Sequence, residues 1–124
     1  MGIFGGIRAG KIVKELLDLK SKISDFSKYR QTGTFTFGAG VSQSNQQIQT
    51  ICAVIDDAVK ALKTGLDIHN RPITRLQIAD GLKRLANATR ETNFYDLMEA
   101  VFGYGVAEFY NYIEELEQIA NRIK

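Results

Sequence analysis

Several residue types that build functional sites are scarce in this chain of 124 residues. It has one cysteine, one histidine and one proline, and it has no tryptophan. A single cysteine excludes an internal disulfide, and one cysteine with one histidine cannot supply the ligands of a structural zinc site. No apolar run reaches the roughly 18 residues that a membrane-spanning helix needs. These absences exclude disulfide scaffolds, zinc modules and transmembrane helices.

The amino end lacks the pattern of a targeting signal. Basic residues interrupt the apolar stretch that starts at Ile3, which is unlike a secretory signal peptide. Gly6 stands at the position where an N-myristoylation motif has serine or threonine. We therefore expect cytoplasmic synthesis, with the single thiol reduced.

Charge is unevenly distributed along the chain, although the net charge is only +2. Residues 1–30 carry a net charge of +4, residues 31–90 of +3 and residues 91–124 of −5. Opposite charges attract one another where they come close together. The two ends are therefore complementary, and they can pair either within one chain or between copies.

Apolar residues recur at alternating intervals of three and four positions. In the first such stretch Ile12, Leu16, Leu19, Ile23 and Phe26 follow this spacing, which places them on one face of a helix. The spacing is typical of a helix in a bundle, and it is also compatible with a coiled coil.

Three further stretches have the same kind of spacing. They predict a second helix over 46–63, a third helix with Pro72 in its first turn, and a helical region over 93–122 that is either one helix or two. We therefore predict an all-α fold, a bundle of about four helices. Its core should contain the most regular apolar positions, which are Leu16, Leu19, Ile55, Leu62, Leu82, Phe109, Ile113 and Leu116.

Two segments do not share the helical pattern. Residues 1–10 hold glycines among apolar residues, which predicts a flexible apolar arm ahead of a single helical domain over 11–124. Residues 31–47 predict an extended or loop insertion between the first two helices, because threonine and phenylalanine alternate there between glycines. This insertion is either a linker or an element that docks on another chain, because a lone strand leaves its backbone groups unpaired. The apolar residues on one side of the extended segment are Phe35, Phe37 and Val41.

Groups that could carry catalysis are sparse. Cys52 lies within an apolar helical stretch and is expected to be a small buried residue, for which a thiolate is disfavoured. His69 lies in a connector ahead of Pro72, where a loop or capping role is expected. The carboxylates near the carboxyl end flank the apolar face and do not oppose each other as a catalytic pair would. We therefore predict no enzyme, no catalytic or metal-binding residues, no cofactor and no small-molecule substrate.

The sequence as a whole favours a non-enzymatic structural or assembly subunit, which forms a homo-oligomer or docks into a larger complex. Short, cysteine-poor chains with glycine-rich starts occur among small virion components of bacteriophages, so a virion component is a specific form of this prediction. Tyrosine is enriched at protein interfaces, and apolar side chains of an unstructured segment need a partner to cover them. The predicted interface residues are Ile3, Phe4, Ile7, Phe35, Phe37, Val41, Tyr104, Tyr110 and Tyr112.

Two alternatives depend on other features. Residues 1–28 combine an apolar face with a lysine-rich face, which is typical of a helix that lies on an anionic membrane. Arginines and lysines between 71 and 90 could contact phosphates. No nucleic-acid-binding module is recognisable, so nucleic acid is the less expected partner.

Overall fold

A computed structural model describes residues 6–29, 39–91, 96 and 106–123 of the chain. Helices make up most of this part of the chain, which contains no strand; an isolated bridge between Leu66 and Pro72 lies in the non-helical connector over 65–74. The prediction of an all-α helical bundle is therefore confirmed. The helices of the described residues are α1 Gly6–Tyr29, α2 Ala39–Thr64, α3 Arg75–Glu91 and α4 Val106–Ile123.

Each of these helices packs against two others, so that the helices close into a ring. Both α1 and α3 contact α2 and α4, whereas α1 and α3 do not contact each other within the described residues. Two ion pairs give the direction of α4 relative to α1, because Glu15 lies near Arg122 and Lys22 lies near Glu115. Residue numbers rise along one helix as they fall along the other, so α1 and α4 are antiparallel.

The core lies at the centre of this ring, where the spaced apolar positions of all these helices meet. Every residue predicted above for the core is at most 3% exposed, so the predicted core is confirmed. Phe109 of α4 lies against Phe26 of α1, with ring centroids 5.8 Å apart. Burial of a large apolar side chain contributes roughly 1.5–3 kcal/mol, so these positions supply the main stabilising free energy.

The first helix starts earlier than the sequence predicts. α1 begins at Gly6, so residues 6–10 of the expected flexible arm are helical, and only 1–5 lie outside the described residues. A glycine inside a helix costs about 1 kcal/mol relative to alanine. Extension of a helix that has already formed is easier than starting one. Glycines at the end of a long helix are therefore tolerated. The prediction of a flexible arm was wrong for residues 6–10 because it treated these glycines as helix breakers.

The second helix also starts earlier, and this corrects part of the expected insertion over 31–47. α2 begins at Ala39, so residues 39–47 are helical rather than extended or in a loop. The run over 41–47 contains neither glycine nor proline, and glutamine and serine are tolerated on an exposed helix surface. The extended character predicted from alternation is untested for 31–38, which lie outside the described residues.

The third helix starts later than predicted, and its cap explains why. Pro72 is not in its first turn, since α3 begins at Arg75. The Thr74 hydroxyl accepts a hydrogen bond from the Gln77 N–H at 3.2 Å, and the Gln77 side-chain oxygen accepts one from the Thr74 N–H at 2.9 Å. This reciprocal pair is a capping box, which satisfies two backbone donors at the helix start. Thr74 and Gln77, three positions apart, are therefore the sequence signal for the start of α3. The prediction was wrong because it relied on Pro72 instead.

Candidate docking cleft

An apolar cleft lies between the second half of α2 and the first half of α3. Its volume is about 160 Å³. Small residues create it, because α2 contributes Ala58 and Ala61 and α3 contributes Gly81. Larger aliphatic side chains form much of the remaining wall, namely Val54, Ile73, Ile78 and Leu82.

The connector over 65–74 closes one end of this cleft and is held by backbone hydrogen bonds. Gly65 ends α2 with a φ of 73°, and its N–H donates to the carbonyl of Ala61 at 2.7 Å. Glycine adopts this left-handed conformation without the steric penalty of a side chain. The Ile73 N–H donates to the carbonyl of Gly65 at 3.1 Å. The connector is therefore a short, ordered hairpin, and Ile68 lies in its turn.

Asp67 organises the turn with its carboxylate. Its Oδ1 accepts hydrogen bonds from the N–H groups of Arg71 at 3.0 Å and His69 at 2.8 Å. The bond from Arg71 is the largest cause that lowers the pKa of the Asp67 carboxyl, while burial opposes it. Because the pKa is lower in the folded state, the carboxylate stabilises the fold above about pH 3.9, the usual aspartate pKa. This contribution is lost as the pH falls through the folded-state pKa.

The mouth of the cleft is open to solvent and has an uncovered apolar edge. Ile68 is 57% exposed, although isoleucine is among the residues most often buried. Asp57 on α2 and Gly81 on α3 are also exposed. A Cβ atom added at Gly81 would meet no other atom within 4 Å. The space beside Gly81 at the mouth of the cleft is therefore open.

Polar groups also line the cleft. They are the carboxylates of Asp57 and Asp67 and the amide of Gln77, which is engaged in capping α3. Across the described residues, no cluster of histidine, cysteine, aspartate and glutamate is placed to hold a metal ion. The cleft combines an apolar surface with negative charge at its edge.

Two of the predicted interface residues, Tyr110 and Tyr112 of α4, have described side chains. Both are half-buried and pack against the core of their own chain. Tyr112 lies edge-on to Phe26 with ring centroids 6.2 Å apart, and its hydroxyl group lies 3.3 Å from the Glu108 carboxylate, to which it donates. Much of the surface of these tyrosines is therefore used within the bundle. Their role in a partner interface stays a prediction.

The other predicted interface residues have no described side chains. Val41 lies in α2 and not in the extended segment where it was expected, and Ile7 lies in α1 and not in a flexible arm. Whether these positions share one surface therefore stays a prediction. Those that lie wholly outside the described residues are Ile3, Phe4, Phe35, Phe37 and Tyr104.

Cys52 and His69, the only residues of their types in the sequence, lie on different elements, Cys52 on α2 and His69 in the connector. Cys52 is half-buried rather than fully buried, and its sulfur lies 3.9 Å from the carbonyl oxygen of Lys20. Burial raises the pKa of the Cys52 thiol, with a smaller opposing effect from Lys20, so the reactive thiolate is disfavoured. His69 is exposed in the connector, as its expected loop role requires. The prediction that neither residue carries chemistry stays a prediction.

Opposite charges from distant parts of the sequence meet within one chain. Arg90 of α3 lies 2.9 Å from Glu114 and 3.2 Å from Glu117 of α4. Lys22 of α1 lies 3.7 Å from Glu115 of α4. Part of the charge complementarity is therefore satisfied inside the bundle, which is one of the two arrangements that the charge distribution allows. Arg90 is also one of the basic residues considered for phosphate contacts.

The cleft itself was not found from the sequence. One signal for it is present, because Ile68 is a large apolar residue between Asp67 and His69 in a polar connector. A single apolar residue on the surface is ordinary, and it points to a site only when further apolar surface lies beside it. The second determinant, the pairing of small residues on α2 with Gly81 on α3, depends on which helices are neighbours. Periodicity within each helix does not give that information.

Comparison with known protein families, with curated proteins and with solved structures finds no match for this chain. None of the helices in the described part of the chain combines the length and apolar character needed to cross a bilayer. The function is therefore inferred from the residues and geometry given above.

Proposed function

We propose that this chain is a non-enzymatic assembly subunit, which associates with copies of itself or docks into a larger protein complex. The apolar cleft between α2 and α3 carries this proposal. Ile68 and Leu76, which are 57% and 56% exposed, lie at the end of the bundle where α3 begins. Contiguous exposed apolar surface is typical of protein interaction sites, and the open cleft with Ile68 at its edge is the surface that supports the proposal.

The completeness of the core also supports this proposal. The apolar seams of the helices are buried within one chain, so the bundle does not need a partner to cover its centre. The cleft and its exposed edge are then available on a folded module. A preformed apolar surface loses less conformational entropy on binding than a segment that folds on its partner.

The membrane alternative is disfavoured by the position of the apolar face of α1. Ile12, Leu16, Leu19 and Ile23 are at most 7% exposed, because they pack in the core. A bilayer could contact these side chains only if α1 left the bundle. That step would expose the same apolar surface on α2 and α4.

Less evidence supports the two remaining interpretations, nucleic-acid binding and a virion component. The nucleic-acid alternative loses part of its basic surface, because Arg90 is engaged with Glu114 and Glu117. A bacteriophage virion component is one setting for an assembly subunit, and it is supported by composition alone. Salt-dependent binding to duplex DNA tests the first of these forms.

Sedimentation velocity over a wide range of concentrations tests the main proposal. We expect a native mass that is a multiple of the 13.9 kDa chain mass and that falls on dilution. Ile68→Ser should weaken association, whereas Leu17→Ser, which changes an exposed apolar residue of α1, should not. A wild-type chain that stays monomeric at every concentration contradicts the homo-oligomer. Equal effects of the two variants contradict the role of the cleft.

A further inference from the structure

We propose that one end of the helical bundle docks on the surface of an anionic lipid bilayer. This end contains the connector over 65–74 and is termed the connector end. The proposal goes beyond the proposed function, because the partner is lipid rather than protein. It also differs from the membrane alternative based on residues 1–28, because α1 stays in the bundle and its apolar face stays buried.

Two helices begin and two helices end at the connector end. α2 ends and α3 begins on either side of the connector. α1 and α2 are consecutive helices joined by residues 30–38, and so short a connection is typical of antiparallel neighbours. The start of α1 therefore lies beside the end of α2. Because α4 is antiparallel to α1, with Arg122 next to Glu15, α4 ends here as well.

Positive charge is concentrated at the connector end. The seven residues of each helix nearest this end, together with the connector, occupy 6–12, 58–81 and 117–123, and they contain seven basic and three acidic residues. Their net charge is +4, whereas the rest of the chain carries −2. Such an excess attracts an anionic partner. The basic residues are Arg8, Lys11, Lys60, Lys63, Arg71, Arg75 and Arg122.

Part of this positive charge is not used inside the bundle. Lys11, Lys60 and Lys63 are exposed, and none of them forms an ion pair within the described residues. Lys60 and Lys63 are three positions apart on α2, so they are neighbours on the helix surface. Two of the three acidic residues are already engaged, since Asp67 accepts hydrogen bonds in the turn and Glu117 belongs to an ion pair between α3 and α4. The lysines are therefore available to a partner.

Two large apolar side chains are exposed at the same end. Ile68 lies in the turn of the connector and Leu76 in the first turn of α3, and each is more than half exposed. Side chains of a helix lean toward its amino end, so Leu76 leans toward the connector end. Backbone hydrogen bonds hold the connector and a capping box holds the start of α3. Binding through these residues therefore needs little ordering of the chain.

An anionic bilayer offers both kinds of contact in one partner. Its anionic headgroups attract lysine and arginine near the surface, and the acyl boundary beneath them takes up apolar side chains. The aliphatic stem of a lysine can lie along this boundary while its ammonium group stays at the phosphates. Exposed aliphatic side chains among exposed cations therefore match the layered chemistry of the bilayer surface.

Nucleic acid fits the connector end less well. Its phosphates attract the same cations, but binding to exposed bases uses aromatic side chains that stack on them. The aromatic side chains in the described part of the chain lie near the end of α1 and the start of α4, away from the connector end. They are Phe26, Phe109, Tyr110 and Tyr112. Phosphate contacts alone would leave Ile68 and Leu76 uncovered.

Co-sedimentation of the full chain with lipid vesicles tests the proposal. One set of vesicles contains phosphatidylcholine alone, and the other contains phosphatidylcholine with phosphatidylserine. We expect binding to the second set at low salt, little binding to the first, and a decline as salt is added, because salt screens exposed charges. A chain that does not bind the anionic vesicles, or that binds both sets equally, overturns the proposal.

Paired lysine substitutions test the electrostatic part. Lys60→Gln with Lys63→Gln should weaken binding to the anionic vesicles about tenfold or more, since each cation near such a surface contributes about fivefold. Lys22→Gln with Arg84→Gln is the control, because it removes the same charge from exposed residues outside the connector end. The control should have a clearly smaller effect. Equal losses in the two double variants contradict docking through the connector end.

An introduced tryptophan tests the apolar part, because the chain has no tryptophan of its own. Leu76→Trp should show a blue shift of its fluorescence on anionic vesicles and quenching by lipids with brominated acyl chains. Leu17→Trp, at an exposed apolar position of α1, is the control and should show neither. Leu76→Ser should weaken binding about fivefold, because more than half of the leucine surface is free to be buried. A Leu76→Trp spectrum that does not change on the vesicles contradicts insertion at this end.

The outcomes separate lipid docking from the proposed function. Leu76 does not line the cleft between α2 and α3, so its variants test lipid binding without altering the cleft. A chain that assembles but does not bind anionic vesicles contradicts lipid docking and leaves the assembly subunit standing. A chain that binds the vesicles and stays monomeric contradicts the homo-oligomer and supports lipid docking. Binding to duplex DNA that Lys60→Gln with Lys63→Gln abolishes, without binding to vesicles, overturns the lipid in favour of nucleic acid.

Discussion

The interface between α1 and α4 and the interface between α2 and α3 are both formed by helices with regular apolar seams, but they close to different degrees. Between α1 and α4, Phe26 packs against Phe109, and ion pairs flank the seam on its solvent side. Between α2 and α3, the small residues Ala58, Ala61 and Gly81 leave a cleft. The spacing of apolar residues therefore determines where helices meet, and side-chain volume determines whether the interface is filled.

This difference separates a closely packed part of the molecule from a part with an open apolar cleft. Close packing gives the α1–α4 side its stability, because each buried side chain has contacts in every direction. On the α2–α3 side some of those contacts are missing at the mouth of the cleft. Backbone hydrogen bonds of the connector over 65–74 hold that mouth in a fixed shape. The substitutions below test the separation, beginning with the largest expected effect.

Phe109→Ala should give the largest loss of stability. Phe109 is fully buried between α1 and α4, and truncation of such a phenylalanine costs about 3–5 kcal/mol. Urea denaturation followed by circular dichroism measures the loss. Ile73→Ala, at the half-buried edge of the cleft, should cost clearly less. Equal losses in the two variants would show that the two interfaces are packed alike.

Thr74→Ala should cost about 1 kcal/mol, within the usual range for the loss of a helix cap. The substitution removes the hydroxyl acceptor of the capping box at the start of α3, beside the cleft. Thermal denaturation should show a lower midpoint with little change of helical content at room temperature. Thr50→Ala, which alters an exposed threonine inside α2, is the control. A loss no larger than that of the control would show that the capping box does not fix the start of α3.

Gly81→Ala should stabilise the chain by about 0.5–1 kcal/mol, because alanine has the higher helix propensity. The added methyl group meets no atom within 4 Å, so no clash opposes the gain. Gly10→Ala in α1 meets open space as well, and it should give a similar gain. Destabilisation by Gly81→Ala alone in urea denaturation would mean that the cleft is closed in solution.

The ion pair of Glu15 with Arg122 should contribute the smallest effect. Arg122 is about half exposed and Glu15 about a quarter, and exposed pairs contribute about 0.2–1 kcal/mol. A double-mutant cycle with Glu15→Gln and Arg122→Gln measures the coupling free energy. We expect it to shrink as salt is added. A salt-independent coupling would show that the pair acts through packing of the side-chain stems.

The sequence was sufficient for the core but not for the helix boundaries. Leu16, Ile55, Leu82 and Phe109 were found by spacing alone, because one helix face must be buried whatever its partner is. Boundaries depend on smaller free energies, of the size of one glycine or one cap. That is why the starts at Gly6 and Ala39 were missed.

The spacing of apolar residues could not predict the candidate site, for a different physical reason. The cleft is a property of two helices together, since alanines on α2 and a glycine on α3 make space only because these helices are neighbours. Ile68, an apolar residue in a polar connector, was a sequence feature that pointed to the cleft, and the structure shows it exposed at the edge of the cleft. The interface residues predicted from the arm and from the 31–47 segment remain predictions.

The ion pair between Glu15 and Arg122 joins residues that are 107 positions apart in the chain. On a ribosome, α1 and α2 therefore emerge well before α4, the second helix that covers the apolar face of α1. Roughly 60 residues separate the end of α2 from the end of α4, and synthesis at about 5–20 residues per second makes this interval about 3–12 s. During that time the nascent chain presents apolar surface that chaperones recognise. The order of the helices along the chain thus sets a period of exposure during synthesis, which ends only when the last helix docks.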